Sequence, residues 1–523
     1  MQERVVQGRA KAAGKQHRVT QMTAFVRATD ADVLRREGCR IYAQWDDIYI
    51  ASVPMDKISS LARMPQIQRI EAGESCFLTN DTTAVITRAR GLWNGSGVPA
   101  GLGVAGLKGK GVVVGVMDIG FDLTHPTFYS ADMQKYRIKA LWDQLDFTEG
   151  GMPVVGDRDT IYVGRQYVGK DALLAKQYVA AGLTQTHGTH TAGTAAGSGA
   201  PMLVGDGMPV YSGMAPEADL CLVANYTGDN KALIPEDLRR IYTTATDMLG
   251  FKYIFDYAES VGKPCVINFS EGAHDDLYEH GLYQEVLDKM VGPGRIICAS
   301  AGNEGGHGSY VHKSAGVERR GAFLSAYSPN ALYVMSSDEP VKLQLSFYHK
   351  GEKKDEWTFD AECLRDYPDS VYIDNVYLPT DSFRIYVNTY PSCVNSSKFA
   401  TDFFVSCLSA KNLDRSDVVV SMALLGMNND IEAYNAGGFF VSDNADKSLA
   451  DFTNDHNILF PASIENVICV GNVGFRTSYV NYEENTIKRY DQSMVDGKRS
   501  RNSSVGPTID GIVKPDVMAP GIN

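Results

Sequence analysis

Five short runs of continuous apolar residues constrain this chain more than any other feature. They are "GVVVGVMDIG" (111–120), "DLCLVANY" (219–226), "CVINFSEG" (265–272), "RIICASAGNEGG" (295–306) and "NVICVGNVG" (466–474). Each gives out in small or polar residues. A strand with one wet face alternates apolar and polar residues; a run without polar gaps is buried on both faces. Helix-length stretches such as "IPEDLRRIYTTATDMLGFKYIFDYAESVG" (234–262) lie between some of the runs. Continuous apolar strands alternating with helices predict an α/β fold on a parallel sheet covered on both sides. In such sheets function collects at the carboxyl ends of the strands. Asp118, Ser270 and Asn303 all stand where a run ends.

A chain of 523 residues is too long for one core, so two or three domains are expected. Residues 18–73 form one unit. "QMTAFVRA", "IYIASVP" and "IQRIEAG" read as strands, while "DADVLRREG" and "MDKISSLARM" carry helical spacing. The order is β-α-β-β-α-β, an α+β sandwich. Between Gly306 and about Phe460 the pattern changes again. "VKLQLSFYHK", "SVYIDNVYL", "SFRIYVNTY", "DFFVSCLS" and "DVVVSMALL" are strand-like and separated by turn residues. They predict an antiparallel β sandwich inserted between two strands of the parallel sheet. The expected division is 1–80, 81–306, 307–460 and 461–523, the second and fourth pieces forming one domain.

Composition excludes several classes. The net charge of −13 and the lack of a basic cluster with interleaved aromatics argue against nucleic acid as a partner. No apolar run approaches the ~20 residues of a membrane span. The nine cysteines are scattered without a CxxC pair, so neither a zinc site nor a disulfide framework is expected. The first residues, "MQERVVQGRAKAAGKQ", have no signal-peptide core.

The candidate chemistry is distributed. Asp118 ends a strand and precedes Ile-Gly; a buried carboxylate there needs a partner, although a loop-capping role is the plainer reading of one Asp. His187 and His190 open a helix rich in Ala, Gly and Thr. A zinc pair of the HExxH type needs i, i+4 spacing and an intervening Glu, and both are absent. A single imidazole at a helix start suits a general base, because the helix N-terminus favours its neutral form. Asn303, in "ASAGNEGG", offers an amide to a developing oxyanion, or is a turn residue. "NFSEG" (268–272) offers a backbone edge to an extended peptide, or is a strand running into a turn.

Order and surroundings turn these signals into one. "VVVGVMDIGFDLTHP", "THGTHTAGTAAG", "YSGMAPEADL", "CVINFSEG", "SAGNEG", "PASIENVICVGNV" and "SSVGPTIDGIVKPDVMAPG" occur in the order found in subtilisin-like serine proteases, and the chain resembles that family over about residues 90–305 and 460–523. The resemblance implies a serine endopeptidase made as a proenzyme, with protein or peptide substrates. It implies Asp118 and His187 as catalytic acid and base, Asn303 as oxyanion donor, and Ser270, Glu271 and Gly272 as the substrate-pairing strand. His190 is then expected to be a packed neighbour. Residues 1–80 resemble the family's propeptide, an inhibitor and folding aid that would be the chain's own partner. The insertion at 307–460 resembles the jelly roll of clostridial spore-germination subtilases. Location outside the cell or in its envelope follows from the family alone.

The chain also departs from the pattern. Ile119 stands where the family usually has Ser or Thr, so a hydrogen bond to the catalytic Asp is expected to be missing. Many members carry an acidic calcium ligand after "HP"; Thr127 stands there, so a structural calcium is the one cofactor to test, and no metal ligand is assigned. Glu271 replaces a usually apolar residue. With Asp275 and Asp276 it suggests a tilt towards Lys or Arg in the substrate. No Gly-Thr-Ser block occurs in the 523 residues, which stop at "IVKPDVMAPGIN". The chain as written is therefore expected to be a fragment without a nucleophile, and inactive alone. A non-catalytic subtilase-like binding protein is the competing reading. A metalloprotease is a third.

Overall fold

The computed structural model of the chain describes residues 21–71, 83–96, 98, 106–148, 151–157, 159–179, 186–200, 211–228, 230–274, 281–367, 370–392, 395–475, 478–480, 486–488 and 495–522. Two compact units divide it, residues 1–78 and 79–523.

In the first unit four antiparallel strands line up as Arg40–Trp45, Ile48–Pro54, Gln21–Ala28 and Ile67–Glu71. The helices Ala31–Arg36 and Ile58–Leu61 complete it. Asp30 starts the first helix by accepting a bond from the Asp32 N–H at 2.8 Å, satisfying one of the orphan donors of a helix start. Val26, Leu34, Ala51, Val53 and Leu61 are buried in its core.

The second unit is organised by a nine-stranded sheet. From one edge its strands are Val517–Ile522, Ile468–Gly474, Arg295–Ser300, Cys265–Phe269, Val113–Asp118, Asp219–Ala224, Ile138–Asp143, Thr160–Val168 and Met152–Val155. The first seven run parallel and the last two are antiparallel additions. Alternate residues of the Asp118 strand serve opposite layers. Val113 and Met117 join Phe251 and Ile254 of the helix Thr244–Ser260 on one face. Val114 and Val116 join Ala192 and Ala196 of the helix His187–Ala196 on the other. Gly115 lets the first helix approach, since a Cβ there would lie 2.4 Å from Ile254 Cγ2. Cys221, Cys265 and Cys469 are buried in this sheet as small apolar side chains.

Residues 310–441 build two antiparallel sheets. The six-stranded sheet runs Tyr310–Lys313, Ile431–Asn435, Asn330–Ser337, Phe399–Cys407, Ser382–Pro391, Val371–Tyr377. The five-stranded sheet runs Glu352–Asp360, Lys342–His349, Val418–Leu425, Arg319–Ser325, Phe439–Val441. Their inner faces share one apolar core, with Phe347 against Phe383 at 5.2 Å and Tyr333 against Phe440 at 4.8 Å between ring centres. Buried Asn457 ties the entry and exit of this segment together. Its Nδ2 donates to Ser309 Oγ at 3.0 Å and its Oδ1 accepts from the Val505 N–H at 2.7 Å.

Candidate active site

Asp118 closes a strand whose six residues are all buried, and is itself wholly buried. An ionised carboxylate there requires donors. The Ile119 N–H and Thr191 Oγ1 supply two, at 2.7 Å to Oδ1 and 2.9 Å to Oδ2. His187 Nδ1 lies 2.6 Å from Oδ1, while half of the His187 side chain is exposed. One ring nitrogen is thus held by a buried carboxylate while the ring stays accessible.

The local fold brings these groups together. The first N–H groups of the His187 helix have no partner within the helix. Gly188 and Thr189 satisfy theirs on the carbonyls of Ile119 and Gly120, at 2.6 and 3.0 Å. This docks the helix start on the turn that follows Asp118. Gly188 permits the approach, because a Cβ there would meet the Phe121 ring at 2.8 Å. Thr191 follows His187 by four residues, one helical turn, and therefore shares its face.

The neighbouring strand ends carry the other candidates. The strands of Asp118, Phe269 and Ser300 are adjacent and parallel, so Asp118, Ser270–Gly272 and Asn303 share one carboxyl edge. At ~4.8 Å between neighbours, the outer two strand ends lie about 10 Å apart. Asn303 is exposed, and its Oδ1 accepts from Asn502 Nδ2 at 3.1 Å. That bond leaves the Asn303 Nδ2 protons for another acceptor. Ser270 Oγ accepts from Asn268 Nδ2 at 2.9 Å. Ser503 and Ser504 are fully buried: Ser503 Oγ accepts from the Asn472 N–H at 2.9 Å and Ser504 Oγ from the Glu304 N–H at 3.0 Å. Both hydroxyls brace loops.

One expectation is corrected by this geometry. His190 is exposed, not packed; Gly188 takes the position against the sheet. Asp118 takes its bonds from the Ile119 backbone N–H and the Thr191 hydroxyl, and the Ile119 side chain donates none. Glu271 Oε2 accepts from Asn225 Nδ2 at 2.6 Å, which ties its carboxylate to the neighbouring strand end. Asp275 and Asp276 lie outside the described residues. The residues at Thr127 do not fit calcium. Its carbonyl accepts from the buried Arg137 guanidinium at 2.7 Å and from the Ser198 N–H at 2.9 Å, so a cation already occupies that oxygen. Among the described residues no group of three or more His, Cys, Asp or Glu side chains is placed to hold a metal.

The model of the subtilase family matches residues 109–523, across both parts of the parallel sheet and the segment between them. The chain belongs to the subtilase family. No curated protein matches it by sequence. Among solved structures it is similar to the Clostridium perfringens CspB protease, at 17% identity, over 85% of this chain and 81% of that one, with a TM-score of 0.54. A mutant of the PatA protease domain matches 38% of this chain and 53% of its own, at 21% identity and a TM-score of 0.23. The epidermin leader peptide processing serine protease of Staphylococcus aureus matches 55% of this chain and 61% of its own, at 15% identity and 0.21. This subtilase is therefore a serine protease of the subtilisin type by family, and the family implies protein substrates. No helix among the described residues is long and apolar enough to cross a membrane.

Three contributors to the site were not read from the sequence. Thr191 carries a legible signal, its place one turn after His187. Asn502 and Asn225 carry none, because their partners lie far away in sequence.

Proposed function

We propose that Asp118 and His187 are the acid and base of an Asp-His-Ser triad and that Asn303 donates to the oxyanion. The observation carrying this reading is the 2.6 Å contact between buried Asp118 and accessible His187. With Nδ1–H donating to Asp118, Nε2 carries the lone pair. A serine hydroxyl presented to Nε2 loses its proton there as its oxygen attacks the scissile carbonyl. Asp118 stabilises the imidazolium, and the carbonyl oxygen, now negative, is held by Asn303 Nδ2 and a backbone N–H. The imidazolium then returns the proton to the leaving amine. An extended substrate pairs with Ser270, Glu271 and Gly272.

No serine of these 523 residues stands in a Gly-Thr-Ser block. The reading therefore assigns no nucleophile within them, and peptide hydrolysis by this chain alone is not expected. Fluorophosphonate labelling tests the assignment. The 523-residue chain should remain unlabelled. Any form of the protein that carries such a serine should be labelled, with the labelling lost in His187→Ala. Labelling of the 523-residue chain overturns the serine assignment. A serine-bearing form that stays unlabelled with intact Asp118 and His187 favours the binding-protein reading.

Residues 1–80 act in this proposal as an inhibitory propeptide, released by cleavage between about Cys76 and Ile86, and the mature enzyme works outside the cell or in its envelope. N-terminal sequencing of the mature protein tests the first point. A start far from that window, or an unchanged N-terminus, counts against it.

A further inference from the structure

The side chain of Leu459 fills the gap between the two strand ends at which substrate is proposed to bind. Leu459 follows the β sandwich and re-enters beside the sheet. Its N–H donates to the Ala301 carbonyl at 2.9 Å. The next residue, Phe460, exchanges two backbone bonds with Ala273, at 2.8 and 3.0 Å. Ile458 and Phe460 are buried in the core beneath the sheet, and Leu459, between them in an extended stretch, faces the other way and is partly exposed. Its side chain reaches both sides of the gap. A Cβ on Gly272 would lie 2.8 Å from Leu459 Cβ, and one on Gly302 would lie 2.5 Å from Leu459 Cγ. Both glycines are needed to admit the leucine.

We infer that Leu459 is a specificity-determining residue that limits the substrate side chain next to the scissile carbonyl to small ones. The inference rests on the proposed roles of Asn303 and of Ser270 to Gly272. A carbonyl held at Asn303 belongs to a residue whose Cβ is two bonds away, and Asn303 adjoins Gly302. That side chain enters the space between Gly302 and Gly272. Leu459 occupies the floor of that space, so Gly, Ala or Ser fits and Leu or Phe collides. Each methylene that a pocket accepts or refuses changes discrimination by about 10- to 200-fold.

The test uses the chain after limited proteolysis has released the proposed inhibitory segment 1–80, with product-like peptides, acetyl-Ala-Ala-Ala-Ala and acetyl-Ala-Ala-Ala-Phe, each with a free carboxylate. Isothermal calorimetry gives their dissociation constants. The native chain should bind the Ala-ended peptide at least about tenfold tighter. Leu459→Gly should reduce or reverse that preference while leaving the Ala-ended peptide within a few-fold. Leu459→Ala, the gentler change, should move the ratio the same way. Equal binding of both peptides to the native chain, or an unchanged ratio in both variants, overturns the inference. Binding of neither peptide to any of the three proteins overturns the proposed substrate cleft itself, and the inference with it.

Discussion

His187 Nδ1 lies 2.6 Å from Asp118 Oδ1, and Thr191 Oγ1 donates to the other oxygen of the same carboxylate at 2.9 Å. A wholly buried carboxylate is thereby held between an accessible imidazole and a hydroxyl on one helix face. If this pair does the chemistry proposed, Asp118→Asn keeps the shape but loses the charge and favours the wrong imidazole tautomer. Peptide hydrolysis by a form that carries the triad serine should then fall by about 10⁴-fold in kcat, with KM little changed. Steady-state kinetics on one peptide substrate decides this. A loss of less than tenfold would argue against Asp118 as the triad acid.

Thr191→Val removes the hydroxyl and preserves the volume. The carboxylate oxygen it served is buried, so the cost is the desolvation of an acceptor left short of a donor, about 1–3 kcal/mol of folding stability. Urea unfolding of the 523-residue chain measures it. An unchanged midpoint would mean that the Thr191 bond contributes nothing.

Asn303→Ala should lower kcat of the same serine-bearing form by about 10²–10³-fold, the usual loss for one oxyanion donor. Asn502→Ala removes the group that orients Asn303, through the 3.1 Å bond to its Oδ1, together with the acceptor of the Ser500 hydroxyl. Its effect on kcat should therefore be smaller and leave KM unaltered. Equal losses in the two variants would assign Asn502 more than a positioning role.

Much of this arrangement was legible in the sequence because it depends on local pattern. Uninterrupted apolar runs marked the strands of Asp118, Phe269 and Ser300, and a polar or small residue after each run marked the working edge. The strand Ile138–Asp143 was harder to read, as its "IKALWD" includes a lysine. Lys139 reaches Asp219 at the start of the next strand, so a charge inside an apolar run was tolerated by a partner distant in sequence. The partner of Glu271 was illegible for the same reason. The sequence neighbours of Glu271 include carboxylates, whereas its hydrogen bond comes from Asn225, at the end of another strand. Leu459 looked like one more apolar residue; only the two glycines facing it reveal the gap it fills.

Asp247 gives the chain a pH-dependent stability. It stands in the first turn of the helix Thr244–Ser260, where the helix N-terminus favours an anion. Burial nevertheless pushes its carboxyl up to about 7, against the hydrogen bond from Asn225 that favours the charged form. An unfolded Asp titrates near 3.9. Between roughly pH 4 and 7 the folded state therefore keeps a proton that the unfolded chain has released. The contribution of the protonated group is fully present below about pH 4 and is lost as the pH rises through the folded value. Asp247→Asn mimics the neutral form at every pH. The substitution should leave urea stability near the native value at pH 4 and exceed it at pH 8, flattening the decline between them. A parallel decline in both proteins would assign the pH dependence to other groups.

The last prediction concerns Asn457, which joins the β sandwich to the catalytic sheet. It is buried, and its amide serves three chain segments. Nδ2 donates to the Glu304 carbonyl at 3.3 Å, to Ser309 Oγ at 3.0 Å and to the Asn454 carbonyl at 3.1 Å, and Oδ1 accepts from the Val505 N–H at 2.7 Å. Its backbone N–H also donates to the Val505 carbonyl at 3.0 Å, a bond that survives substitution. Asn457→Ala leaves the Val505 N–H and the facing oxygens without their side-chain partner in a buried place. The expected cost is about 3 kcal/mol, above that of an average surface substitution. Asn457→Asp separates the two halves of the amide. It keeps an acceptor for Val505 but sets an anion against the Glu304 and Asn454 carbonyls, so it should not rescue the alanine variant. Urea unfolding followed by tryptophan fluorescence provides the measurement, since Trp142 lies in the catalytic sheet and Trp357 in the sandwich. Loss of stability near 3 kcal/mol in both variants supports the tie. Wild-type stability in Asn457→Ala would mean that the two parts are held together elsewhere.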